Sequence, residues 1–111
     1  MEEKTVLERY TRVIFRALSE AHLLTSVFYN GASEADEITG EVISDVVDMA
    51  AAAKEVCAVL IDIVQKAYEG GAVPEEVPLP FESLESMDDR QLRTWMIAKI
   101  EAKAGKELFY E

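Results

Sequence analysis

Cysteine and histidine each occur once in this chain, as Cys57 and His22. A lone cysteine excludes any disulfide within the chain, which fits a reducing compartment. No apolar run approaches the roughly 20 residues of a membrane span. The first residues, MEEKTVLERY, carry early charges and no apolar stretch of signal-peptide type, so cytoplasm is the expected compartment. Glycine is sparse and forms no phosphate-binding loop; Gly70-Gly71 ends a helical pattern and does not begin one. Bases are scarce, eleven against twenty-two acids, for a formal net charge of −11. Such a field repels nucleic acid and favours basic partners.

What remains is 50% apolar, enough for a core in a single domain spanning 1–111. A domain of this size buries a limited share of its surface, and oligomerisation helps it. The charge is uneven. Residues 17–89 hold sixteen acids against Lys54 and Lys66, a net −14, while the two ends carry +1 and +2.

The patterning is helical throughout. Leu7, Tyr10, Ile14, Ala17, Ala21, Leu24 and Phe28 alternate steps of three and four, the seam of a bundle helix over about 2–29. Asn30-Gly31 is expected to stop it and Ser33 to cap the next helix. That second helix is expected over about 34–69. Its seam is Val42, Val46, Met49, Ala53, Val56, Leu60, Ile63 and Ala67. A second apolar row lies beside it: Ile43, Val47, Ala50, Cys57, Ile61, Val64 and Tyr68, interrupted only by Lys54. Gly40 costs about 1 kcal/mol relative to alanine inside a helix. It marks either a kink or the true start.

Pro74, Pro78 and Pro80 make 72–86 an extended linker in this reading, with Val77, Leu79 and Phe81 lying on the bundle surface. A third helix is expected over about 87–104, starting at Ser86. It has Asp88 and Asp89 in its first turn, a Leu92, Met96, Ile100, Ala104 row, and Gly105 as its stop. The apolar tail Leu108, Phe109, Tyr110 is expected to dock. The fold class is therefore all-α: a long antiparallel helical hairpin plus a shorter C-terminal helix, dimerising into a bundle.

The acids of the middle region pose the functional question. At about 100° per residue, Glu34, Glu37, Asp45, Asp48 and Glu55 fall within roughly 40° of Glu41. The apolar rows centre near 150° from it. The acids thus point away from the apolar face, whereas carboxylate metal sites in bundles project inward. The nearest enzymatic resemblance is to the all-helical nucleoside triphosphate pyrophosphohydrolases, the MazG-like group. Their pattern is E-x-x-E on one helix and E-x-x-D on the next, with magnesium between. Glu34-x-x-Glu37 is present here, but Asp45-x-x-Asp48 opens with aspartate, and all these pairs lie on one expected helix. The match fails, and no metal or cofactor is expected. A metal-dependent hydrolase is the alternative reading.

Other chemistry finds no support. His22 lies beside the first seam as a partly buried structural residue, and Cys57 reads as a packed thiol. Ser26, Thr39 and Ser44 have no triad partners. Arg9, Arg12 and Arg16 form a basic stripe, read as pairing with acids; Glu8 precedes Arg12 by four residues, the favourable order.

The apolar arc of the second helix exceeds the about 100° that one neighbour covers. A second copy is the simplest cover, through Val42, Val46, Met49, Val56, Leu60, Ile61 and Val64. The expected function is a non-enzymatic interaction protein, a homodimer whose face of Glu34, Glu37, Glu41, Asp45, Asp48 and Glu55 docks a basic protein. Inhibitors, immunity proteins, antitoxins and chaperones use such scaffolds. A structural subunit of a larger assembly shares the same fold expectation.

Overall fold

The computed structural model of the chain describes residues 2–70 and 81–109, with side-chain surroundings for 8–70 and 83–109. The molecule is all-α. Helix α1 spans Glu2–Ser33, α2 Gly40–Gly70, α3 Phe81–Ser86 and α4 Asp89–Ala104. α1 and α2 form a long antiparallel hairpin, and α4 lies along one side of it against both. The whole measures 56 × 24 × 18 Å. Among the described residues no helix is long and apolar enough to cross a membrane.

The core follows the seams. Tyr10, Ile14, Ala17, Ala21 and Leu24 of α1 meet Met49, Ala53, Leu60 and Ile63 of α2. Alanines at 17, 21, 52, 53 and 67 are all buried, and small side chains let the helix backbones approach. α4 closes the third side with Leu92, Met96 and Ile100, each fully buried and one turn apart. Leu84 of the short α3 adds a further buried residue against α1.

Four boundaries differ from the sequence expectation, each for a local reason. α1 does not stop at Asn30-Gly31: the Glu34 amide still donates to the Asn30 carbonyl at 3.1 Å. Gly31 does not take a left-handed conformation, and Ala32 packs into a groove with Phe28, so packing overrides propensity. Ser33 does not cap α2, because its hydroxyl donates back to the Asn30 carbonyl. Thr39 does so instead, accepting from the Val42 amide at 3.2 Å, and Gly40 is the true start. Residues 81–86, expected to be extended, are helical. A preceding proline is compatible with that, since the first turn needs none of its amide donors. The segment 71–80, with its three prolines, lies outside the described residues, as does Tyr110.

α4 begins at Asp89 rather than Ser86 because Asp88 and Gln91 form a reciprocal cap. The Gln91 amide donates to Asp88 Oδ1 at 2.8 Å and the Asp88 amide to Gln91 Oε1 at 3.0 Å. Asp88→Ala is expected to lower stability by about 1 kcal/mol in urea unfolding, with no change in the α1–α2 contacts.

Gly105 ends α4 in the left-handed conformation (φ 76°), the stop anticipated for it. The tail then folds back. Glu101 Oε2 accepts from the amides of Leu108 (2.7 Å) and Phe109 (3.0 Å). Leu108 is buried, and the Phe109 ring stands edge-on to Phe28 with centroids 5.5 Å apart. The tail therefore docks on its own bundle.

Candidate interaction surfaces

Starting α2 at Gly40 removes Glu34 and Glu37 from any helix. Both sit exposed in the turn that joins α1 to α2, with Asp36 between them and Glu41 in the first turn of α2. The hairpin end is thus an exposed cluster of four acids. The Glu34-x-x-Glu37 pair, placed on a helix by the pattern reading, is in the loop.

The rest of the expected acidic face meets a base from its own chain. Lys106 Nζ stands 2.8 Å from Asp45 Oδ1 and 2.6 Å from Asp48 Oδ2. Lys103 Nζ reaches Glu55 Oε2 at 3.6 Å. Asp45 and Asp48 are half-buried, since α4 and its tail run beside them. This corrects the expectation of a single free acidic stripe from 34 to 55. The signal was in the sequence: five of the eleven bases fall after residue 89. Reading each helix separately could not show where they land.

The two carboxylates accept hydrogen bonds from the Lys106 ammonium and hold its pKa well above the ordinary lysine range. A raised lysine pKa means this pairing favours the fold below the free-lysine value of about 10.4 and is lost as pH rises through the raised one. A carbon-13 NMR titration of the Lys106 side chain should show the elevated midpoint. Asp45→Asn with Asp48→Asn should return it toward the free value.

The basic stripe of α1 is likewise engaged. Arg9 forks onto Glu85 of α3, with Nε 2.7 Å from Oε2, and this pairing lowers the Glu85 pKa. Arg12 bonds Glu8 at 2.8 Å, the pairing expected within the helix. Arg16 donates to the Met87 carbonyl at 2.8 Å and reaches Asp89 at 3.2 Å. Arg93 of α4 bonds the buried Glu20 of α1 at 2.8 Å, tying α4 to the hairpin.

The apolar candidates divide. Met49 and Leu60 are fully buried in the chain's own core, so they cannot line an interface without opening it. Val42, Val46, Val56 and Val64 are half-buried. Val42 and Val46 also line a groove of about 520 Å³ with Leu24, Phe28, Ile97 and Phe109, between the hairpin end and α4. Ile61 is exposed. The division has a geometric cause. The seam faces α1 and α4, and the second row, one residue on, is turned about 100° from it, with Cys57 and Val64 at its edge still packed on the core.

That second row forms an open apolar surface. Ile43 (54% exposed), Val47 (58%), Ile61 (47%) and Tyr68 (78%) stand in solvent along α2, with Ala50, Cys57 and Val64 half-buried between them. Alongside, on α1, lie Phe15, Leu18, His22 and Tyr29. Neither row contains an acid, and Lys54 is the one residue with a fixed charge. His22 is exposed rather than half-buried, because it lies on this open side of α1. The α1 half of the face lies off the α1 seam, so the spacing of apolar residues along that helix does not mark it. Burial pushes the Cys57 thiol pKa up, which keeps it protonated.

No group of three or more His, Cys, Asp or Glu residues takes a metal-holding arrangement among the described residues. No protein-family model, curated protein or solved structure matches the chain.

Proposed function

We propose that this chain is a non-enzymatic interaction protein that works as a homodimer and presents its acidic hairpin ends to a basic protein. The observation that carries the reading is the acid-free apolar face shared by α1 and α2, exposed on a chain of charge −11. Large contiguous apolar patches on soluble domains mark interaction sites. A highly acidic chain can approach its own copy only where acids are absent, since like charges juxtaposed at an interface are costly.

The basic partner is supported by Glu34, Asp36, Glu37 and Glu41, exposed together at the hairpin end. Asp45, Asp48 and Glu55, held by Lys106 and Lys103, drop out of the proposed docking face. The same pairing weighs against the hydrolase reading, which needs helix-borne carboxylates free to converge on an ion. An inhibitor, immunity protein, antitoxin or chaperone fits this description.

Light scattering across about 1 to 100 μM protein tests the dimer at affinities typical of specific association. Twice the 12.4 kDa chain mass is expected. A mass of one chain throughout would sink the proposal. Retention on an immobilised lysine-rich peptide tests the acidic end. It should fall with added salt and vanish in a Glu34→Gln, Glu37→Gln, Glu41→Gln variant.

A further inference from the structure

The face described above has an internal symmetry that the two helices share. Along α2 its positions are 43, 47, 50, 54, 57, 61, 64 and 68. The series reads the same in reverse, with its centre between 55 and 56. Along α1 the corresponding positions are 11, 15, 18, 22, 25 and 29, centred on residue 20. Any row of alternating threes and fours and even length has such a centre. Whether two centres stand side by side depends on how the hairpin is aligned.

The structure supplies that alignment. A cavity of about 240 Å³ lies between the helices on this face, lined by Leu18, His22 and Thr25 of α1 and by Ala50, Lys54 and Cys57 of α2. In an antiparallel hairpin that lining, completed by Ala21, Tyr29 and Ala53, sets 18–29 of α1 alongside 50–57 of α2. Residue 20 is then level with 55 to 57. The two centres coincide within about two residue rises, about 3 Å. A single two-fold axis, lying in the face and crossing both helices, maps each row onto itself.

Resting on the dimer reading, we propose that a second copy of this chain docks here about that axis, α2 against α2 and α1 against α1, each pair antiparallel. Ile43 meets the second copy's Tyr68, Val47 meets Val64, Ala50 meets Ile61, and Lys54 meets Cys57. Phe15 of α1 meets Thr25. A dimer of this kind is isologous, each contact occurring twice.

Charge selects this arrangement, and the area of the face suits a dimer. The other two-fold that stacks the faces runs along the helices and sets α1 on α2. It places both hairpin ends together, crowding eight exposed carboxylates from Glu34, Asp36, Glu37 and Glu41 of the two copies. The crossing axis instead separates those clusters by most of the 56 Å length. That is several Debye lengths at physiological salt, about 8 Å each. The size also fits. The 25 residue steps from 43 to 68 span about 38 Å, two helices at 8–10 Å spacing cover about 20 Å, and the product of about 750 Å² per copy approaches the standard interface of about 800 Å². The two copies' Lys54 residues fall about one turn apart across the axis, a like-charge contact that lowers affinity and, as a polar residue does in a coiled-coil seam, fixes register.

Disulfide trapping tests the register. Ala50→Cys and Ile61→Cys are made separately on a Cys57→Ala background, with folding checked by circular dichroism. After subunit exchange and mild oxidation, the mixture should give at least about ten times more covalent dimer than either variant alone, since only 50 and 61 come within disulfide reach. Phe15→Cys mixed with Thr25→Cys repeats the test on α1. A dimeric wild type whose mixtures do not link, or whose Ala50→Cys chains link to themselves, overturns the arrangement and leaves the dimer reading intact. A wild type of single-chain mass overturns both.

Discussion

Val47→Glu combined with Ile61→Glu is expected to turn the proposed dimer into a folded monomer. Both residues are about half exposed in the single chain, so their loss there is a surface change of within about 0.5 kcal/mol. The proposed two-fold would place each change twice at the interface. Each side chain buries only its exposed half there, about 0.75–1.5 kcal/mol, so four give on the order of 3–6 kcal/mol. That corresponds to roughly 10²- to 10⁴-fold weaker association, before the repulsion of four added charges. Light scattering should report one-chain mass at concentrations where the wild type is paired. The melting temperature of the wild type should rise with protein concentration and that of the variant should not. Val59 provides the control. It is equally exposed but lies beside Trp95 and Lys99 on the α4 side. Val59→Glu should leave the mass unchanged. Equal dissociation by Val59→Glu would move the interface off the α1–α2 face.

Much of this architecture was legible in the residues because one helix and its period determine it. The α1 seam from Tyr10 to Leu24 is buried as its spacing implies, and so are Leu92, Met96 and Ile100. Gly105 stops α4 through its own backbone freedom, a property readable at one position. What was not legible depended on a second element. Asn30-Gly31 has every local reason to end a helix, yet packing beside Phe28 carries α1 on to Ser33. The acids at 45, 48 and 55 look free on a helical wheel, which holds no information about a lysine sixty residues away. The same limit applies to the apolar face. Its α2 half was visible as a second row. Its α1 half, and the level at which the halves meet, appear only when the hairpin closes.

Ile100→Ala is expected to be the most destabilising single change among those considered. Ile100 is fully buried where α4 meets the hairpin, and truncation removes its contacts while leaving a cavity. Large-to-small changes at such positions cost about 2–5 kcal/mol. Domains of this size hold about 5–15 kcal/mol in all, so a large share of the stability is at stake. In urea the midpoint should fall by about 1–2 M at a slope typical of small proteins, and the slope itself should hold if α4 unfolds with the hairpin. A loss below about 1 kcal/mol would mean that α4 is not part of one cooperative unit. The outcome bears on function because α4 and its tail carry Lys103 and Lys106 onto Glu55, Asp45 and Asp48. The open face lies on the opposite side of the hairpin and uses no α4 residue. An Ile100→Ala chain that stays folded at low temperature should therefore still dimerise. Its melting temperature should climb with concentration as that of the wild type does, from a lower base.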